Sequence, residues 1–123
     1  NLLNYGYAIL RATMARAVAG SGLHPTLGLF HRNRYNAYCL ADDLMEPYRP
    51  LVDQVVAGIV QDRPLDRTEL DQEDKITLLR TPTLDVDMGG KIRPLMVAVS
   101  ESTASLARAF LGSGTALALP KPA

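Results

Sequence analysis

The sequence feature that most constrains the fold is a pair of prolines set inside a helical pattern. Leu40, Leu44, Tyr48, Leu51, Val55 and Ile59 recur at three- and four-residue spacing, which predicts one amphipathic helix over residues 36–61. Pro47 and Pro50 fall within it. Each lacks an N–H and clashes with the carbonyl four residues back. Those carbonyls belong to Asp43 and Glu46. The helix is therefore expected to be distorted at two carboxylate-bearing residues.

Asp43 and Glu46 lie three residues apart, a spacing that puts both side chains on one helix face. His31 precedes them at the end of an apolar loop, within reach of the same spot. Imidazole and carboxylates together suit a divalent ion of the manganese or magnesium kind. Arg16, Arg32, Arg34 and Arg49 are candidates to surround it, an arrangement suited to phosphodiesters. The plainer reading is a surface pair. Arg49 is three beyond Glu46, and an i, i+3 salt bridge there contributes on the order of 0.3 kcal/mol. His24 is a weaker second imidazole, because nothing pairs with it at a telling spacing.

The 123 residues suffice for one domain, and 47% are hydrophobic, enough for a core. Net charge is zero, which argues against a uniformly basic nucleic-acid binder. Its distribution is uneven, however. Residues 1–41 contain Arg11, Arg16, Arg32 and Arg34 and no acid, whereas residues 42–87 hold nearly all the carboxylates. Such asymmetry could turn one side of the molecule to DNA. The one cysteine, Cys39, sits among apolar residues and is expected in the core. The sequence shows no 18-residue apolar run, and a reducing cytoplasmic setting is expected.

Residues 1–19 read as a helix on Leu3, Tyr7, Leu10, Met14 and Val18. The alanines on its other faces point to a central position. A loop is expected over 23–35. Asp71-Gln72-Glu73-Asp74 resembles a capping box with Asp71 as N-cap, opening a short helix to Arg80 on Ile76 and Leu79. Asp66 is a rival start. Leu84, Val86 and Met88 alternate with Asp85 and Asp87 before Gly89-Gly90, which predicts a hairpin at about 84–92 packed on the helices. Pro94 then suits the start of a last helix on Leu95, Val99, Ser102, Leu106 and Phe110. The fold class expected is all-α, with a helical domain over 1–112 and a flexible tail over 113–123.

Three stretches resemble a known family. These are Asn-Leu-Leu-Asn-Tyr-Gly-Tyr-Ala-Ile-Leu-Arg at 1–11, Gly-Leu-His-Pro-Thr-Leu-Gly-Leu-Phe-His-Arg-Asn-Arg-Tyr-Asn at 22–36, and Asp-Asp-Leu-Met-Glu-Pro-Tyr-Arg-Pro at 42–50. They look like the C-terminal helical domain of the CRISPR-associated adaptation integrase, most similar to the form of type II systems. The residues from Lys91 and from Ser102 resemble that subfamily's last helix.

The resemblance implies that His31 and Glu46 are ligands of Mg²⁺ or Mn²⁺ and that Asp43 is a further active-site carboxylate. Arg34 and Arg49, with Arg32, are expected near DNA. The implied activity is metal-dependent transesterification, in which a 3′-hydroxyl of incoming double-stranded DNA attacks a phosphodiester at the repeat boundary. Implied partners are the spacer and repeat DNA, a second copy in a homodimer, and a small adaptation protein. The family also uses a glutamate upstream of the histidine, yet residues 1–30 contain neither Asp nor Glu. This, with the missing N-terminal β-rich domain, leads to the expectation of a fragment inactive by itself. The alternative is a non-catalytic helical module that binds DNA or a partner.

Overall fold

A computed structural model of the chain describes residues 1–22, 39–62, 71–110 and 118–122. Among the described residues, five α-helices and one small sheet follow in the order α1 (Leu2–Gly20), α2 (Cys39–Met45), α3 (Arg49–Gln61), α4 (Gln72–Leu79), β1 (Asp85–Met88), β2 (Lys91–Pro94), α5 (Leu95–Phe110) and β3 (Lys121–Pro122). The architecture is mainly helical with a short hairpin, as the sequence pattern predicts.

Helix α1 is the centre of the domain and packs against α2, α3, α4 and α5. Asn1 caps it, its side chain accepting from the Asn4 N–H at 2.9 Å. The buried face is Leu2, Gly6, Leu10, Thr13, Met14 and Val18. Leu3, expected in that stripe, is 38% exposed. The inward face advances in steps of four from Leu2, a row that a pattern anchored on Leu3 leaves one residue out of phase. Gly6 lets α3 come close, since a Cβ there would stand 2.6 Å from Val52 Cγ1.

The single helix expected over 36–61 is divided. Helix α2 ends at Met45, Glu46–Tyr48 form a 3-10 turn, and α3 starts at Arg49. The two prolines explain the break. With no N–H at Pro47 or Pro50, the chain tightens to i→i+3 bonding, and the Arg49 N–H caps the turn by donating to the Glu46 carbonyl. The tighter turn shifts the phase of the apolar stripe. Leu44, Tyr48 and Leu51 are buried as expected, but Val52 and Val56 join them in place of full burial at Val55 and Ile59.

Helix α4 opens on the anticipated capping box. Asp71 Oδ1 accepts from the Asp74 N–H at 2.8 Å, and Asp74 Oδ2 from the Asp71 N–H at 3.2 Å. Its core contact is Leu78, whereas Ile76 and Leu79 face outward at 45% and 56% exposure. The inward row of this eight-residue helix is Asp74 and Leu78, four apart, which Ile76 and Leu79 do not share. Asp66 lies outside the described residues, as do the whole of the loop expected at 23–35 and residues 111–117.

Gly89 and Gly90, at φ +63° and +90°, form the two-residue turn of the hairpin. Positive φ at both central positions gives the primed turn whose twist matches paired strands. Val86 pairs with Arg93 and Asp87 with Ile92. Val86 and Met88 are buried against the helices, and α5 packs on both strands. Pro94 ends β2 rather than opening α5. Helix α5 starts at the next residue, where the Leu95 N–H donates to the Leu84 carbonyl at 2.7 Å.

Residues 118–122 differ from the expected flexible tail. Lys121 and Pro122 pair with Asp87 and Val86, which makes β1 the middle strand in the order β2-β1-β3. Among the described residues no helix is long and apolar enough to cross a membrane.

Candidate metal and DNA site

Asp43 and Glu46 are both exposed, on either side of the junction between α2 and the 3-10 turn. The interval between them runs through the last turn of α2, and i, i+3 spacing keeps the two residues on neighbouring positions of one face. Three contacts hold this junction to the rest of the domain.

The first is the Arg11–Asp42 pair. The Arg11 guanidinium donates to both carboxylate oxygens of Asp42, from Nε at 2.8 Å and from Nη2 at 3.1 Å. This two-pronged geometry fixes α2 against α1. The second is Arg49, at the first position of α3. Its Nη2 lies 3.5 Å from Glu46 Oε1, and its Cζ sits 5.1 Å from the centre of the Tyr7 ring. The ring face attracts the cation. The Arg49 Nε–H is buried without an acceptor among the described residues. Tyr7 in turn donates its hydroxyl to Asp53 Oδ1, one turn further along α3. That bond raises the Tyr7 phenol above its usual range, with burial and the Asp53 charge acting in the same direction.

The third contact lies beneath the turn. Tyr48 is fully buried, and its hydroxyl lies 2.6 Å from Ser102 Oγ on α5. Burial pushes its phenol up to about 12, and the Glu101 charge adds to the rise.

The expected site residues therefore divide into two groups. Glu46 and Arg49 are brought together as an i, i+3 ion pair, and Asp43 is exposed three residues before Glu46. His31, Arg32, Arg34 and His24 lie outside the described residues, as does the side chain of Cys39. Arg16, a candidate to surround the same spot, instead lines a cavity of about 510 Å³ between α1 and α5 with Thr13, Met96, Ser100 and Thr103. Among the described residues no three potential ligands form a metal-binding cluster. The donor set in view is two exposed carboxylates, and oxygen ligands of this kind fit Mg²⁺ or Mn²⁺.

The spacing argument missed Tyr7, Arg11, Asp42 and Asp53. Tyr7 and Arg11 stand four apart on α1, the interval of a shared helix face. That interval was the available signal, but Tyr7 also fits the apolar stripe and reads there as core.

A sequence model described as CRISPR associated protein Cas1 matches residues 1–85. A CRISPR-associated endonuclease Cas1 of Neisseria meningitidis is 46% identical over 79 residues, covering 64% of this chain and 26% of that protein. One from Pyrobaculum aerophilum is 31% identical over 111 residues, covering 90% of this chain and 37% of that protein. One from Thermus thermophilus is 49% identical over 55 residues, or 44% of this chain and 18% of that protein. The chain thus spans well under half the length of these relatives. The match runs through the glycine-containing face of α1, the paired carboxylates and the proline-broken helix alike, and the chain belongs to the Cas1 family of CRISPR-associated proteins.

Proposed function

We propose that this chain carries part of the catalytic domain of a DNA endonuclease–integrase that inserts new spacers into a CRISPR array. The observation that carries the reading is the exposed placement of Asp43 at the end of α2 and of Glu46 at the start of the proline-containing turn, in a chain of the Cas1 family. The reaction is a transesterification. A 3′-hydroxyl of the incoming DNA attacks a phosphodiester at the repeat boundary, one P–O bond forms, and the bond to the leaving oxygen breaks.

In this reading His31 and Glu46 hold Mg²⁺ or Mn²⁺, with Asp43 beside them. The bound ion supplies charge neutralisation at the reacting phosphate. Arg49, seated on Tyr7 and facing Glu46, keeps that carboxylate turned toward the site. Its outer nitrogens, with Arg32 and Arg34, meet the phosphate backbone. The working assembly is a homodimer with a small adaptation protein, in the cytoplasm.

The composition of residues 1–30, which hold no Asp or Glu, favours a second reading for the chain taken alone: a helical module that binds DNA or a partner and does no chemistry. Strand transfer with Mn²⁺ separates the two, comparing the chain with a version extended upstream through the family's glutamate. Activity only in the extended form, abolished by Glu46→Ala with DNA affinity unchanged or improved, supports the integrase. Activity in neither overturns it in favour of the binding module.

A further inference from the structure

The contact beneath the turn continues beyond Ser102. Ser102 Oγ donates to the Ala118 carbonyl at 2.6 Å. The Ala118 N–H donates to Ser105 Oγ at 2.9 Å, and Ser105 Oγ donates to the Ser102 carbonyl at 2.7 Å. Both backbone groups of Ala118 are thus satisfied by two serines one helical turn apart on α5. Ser102 and Ser105 are 1% and 0% exposed.

The proton directions follow by elimination. A serine hydroxyl has one hydrogen. That of Ser102 goes to Ala118, so Tyr48 must donate to Ser102. The result is a directed chain from Tyr48 through Ser102 to Ala118, with each hydroxyl spending its one proton. Buried polar chains of this kind are worth keeping only when complete, because a member left unpaired is costly. Tyr48 is the last residue of the turn that Glu46 opens. Beyond Ala118, the chain continues into β3 on the sheet.

We propose that residues 118–122 are a latch that positions the Glu46 turn, acting through Ser102 and Tyr48. None of these residues touches the reacting groups. Their role is to hold the buried end of a turn whose exposed end carries the carboxylate. The docked segment supplies the acceptor that orients Ser102, and Ser102 so oriented can only accept from Tyr48. With the segment removed, Tyr48 and Ser102 hold two hydroxyl protons and have lost the Ala118 acceptor, so the pair can satisfy only one of them and the seat of the turn loosens. The consequence for catalysis rests on the integrase reading, but the coupling between segment and turn does not.

The test uses two variants of the 123-residue chain, deletion of 118–123 and Ser102→Ala, and hydrogen exchange as the readout. The Arg49 amide reports on the turn, because it donates to the Glu46 carbonyl. Loss of one buried hydrogen bond predicts about tenfold faster exchange at Arg49 in either variant. Leu10 and Met14 amides in α1 keep their rates, which separates local loosening from general destabilisation. The same changes in the upstream-extended protein should raise the Mn²⁺ concentration needed for half-maximal strand transfer, while the rate at saturating metal changes little.

Unchanged Arg49 exchange in both variants overturns the latch. So does a uniform rise at Leu10, Met14 and Arg49 in both, which would mean only lost stability. An inactive extended wild-type protein with selective loosening at Arg49 would refute the integrase reading and leave the latch standing.

Discussion

Gly6→Ala puts two opposing effects on the same atom. Alanine is the better helix former by about 1 kcal/mol, and Gly6 lies inside α1. The added methyl, however, would stand 2.6 Å from Val52 Cγ1 and 3.4 Å from Leu78 Cδ2. Carbon atoms pack best at about 3.5–4.0 Å, so roughly 1 Å of overlap must be relieved. Val52 cannot easily relieve it, because it is fully buried and a β-branched side chain is stiff at χ1. Either Val52 leaves its rotamer or α1 and α3 move apart. Overpacking of this kind costs about 1–3 kcal/mol. The clash should win by about 1 kcal/mol, lowering the melting temperature by about 4 °C. Urea unfolding of the chain measures it, with a shifted midpoint and an unchanged slope. Val52→Ala alone should cost about 2 kcal/mol through the cavity it leaves. Combined with Gly6→Ala it should cost less, because the new methyl occupies part of that cavity, giving a coupling of about 1 kcal/mol or more. A stabilised Gly6→Ala protein, or an additive cycle, would refute the reasoning.

Two further outcomes are expected. Tyr48 has a folded value of about 12 against an ordinary 10, so between those limits the folded state binds more protons than the unfolded. Stability is then full below pH 10 and falls as pH rises toward 12, by about 2–3 kcal/mol in all. Alkaline absorbance titration with parallel unfolding curves checks this, and one of the five tyrosines should ionise last and with loss of structure. Asp71→Ala removes the side-chain half of a capping box and should cost about 1 kcal/mol in thermal unfolding, whereas Asp71→Asn keeps the acceptor and should cost less.

The features legible in the sequence are those determined within a few residues. The Asp71–Asp74 box, the Gly89-Gly90 hairpin and the proline break all depend on neighbours in the chain, and each appears where its pattern stands. The fine phase of each helix was harder to read. Leu3 and Leu2 are equally apolar, and which faces inward depends on where α3 and α4 lie. Ile76 and Leu79 look like core by composition, but the face of α4 that meets the domain is the Asp74–Leu78 row, which tertiary packing selects. The docked segment at 118–122 carries Gly-poor but proline-bearing sequence that resembles a tail. Its partners are Ser102 and Ser105, whose exchange of hydrogen bonds no local pattern announces. In the candidate site, Asp43 and Glu46 are singled out by spacing, and the structure leaves both exposed. The residues that hold the junction are not singled out in this way, because Tyr7 meets Asp53 across 46 positions of sequence.

The junction of β2 and α5 has a mechanical consequence. Pro94 closes the strand and Leu95 opens the helix, with no residue between them. The Leu95–Leu84 hydrogen bond and an Arg93–Glu101 ion pair at 2.7 Å span the joint on both sides. A joint without length has little compliance. A displacement at the glycine tip of the hairpin is therefore expected to pass into α5, the helix on which Ser102 and Ser105 stand. The hairpin is in that sense a lever arm, and its fulcrum is the first turn of α5.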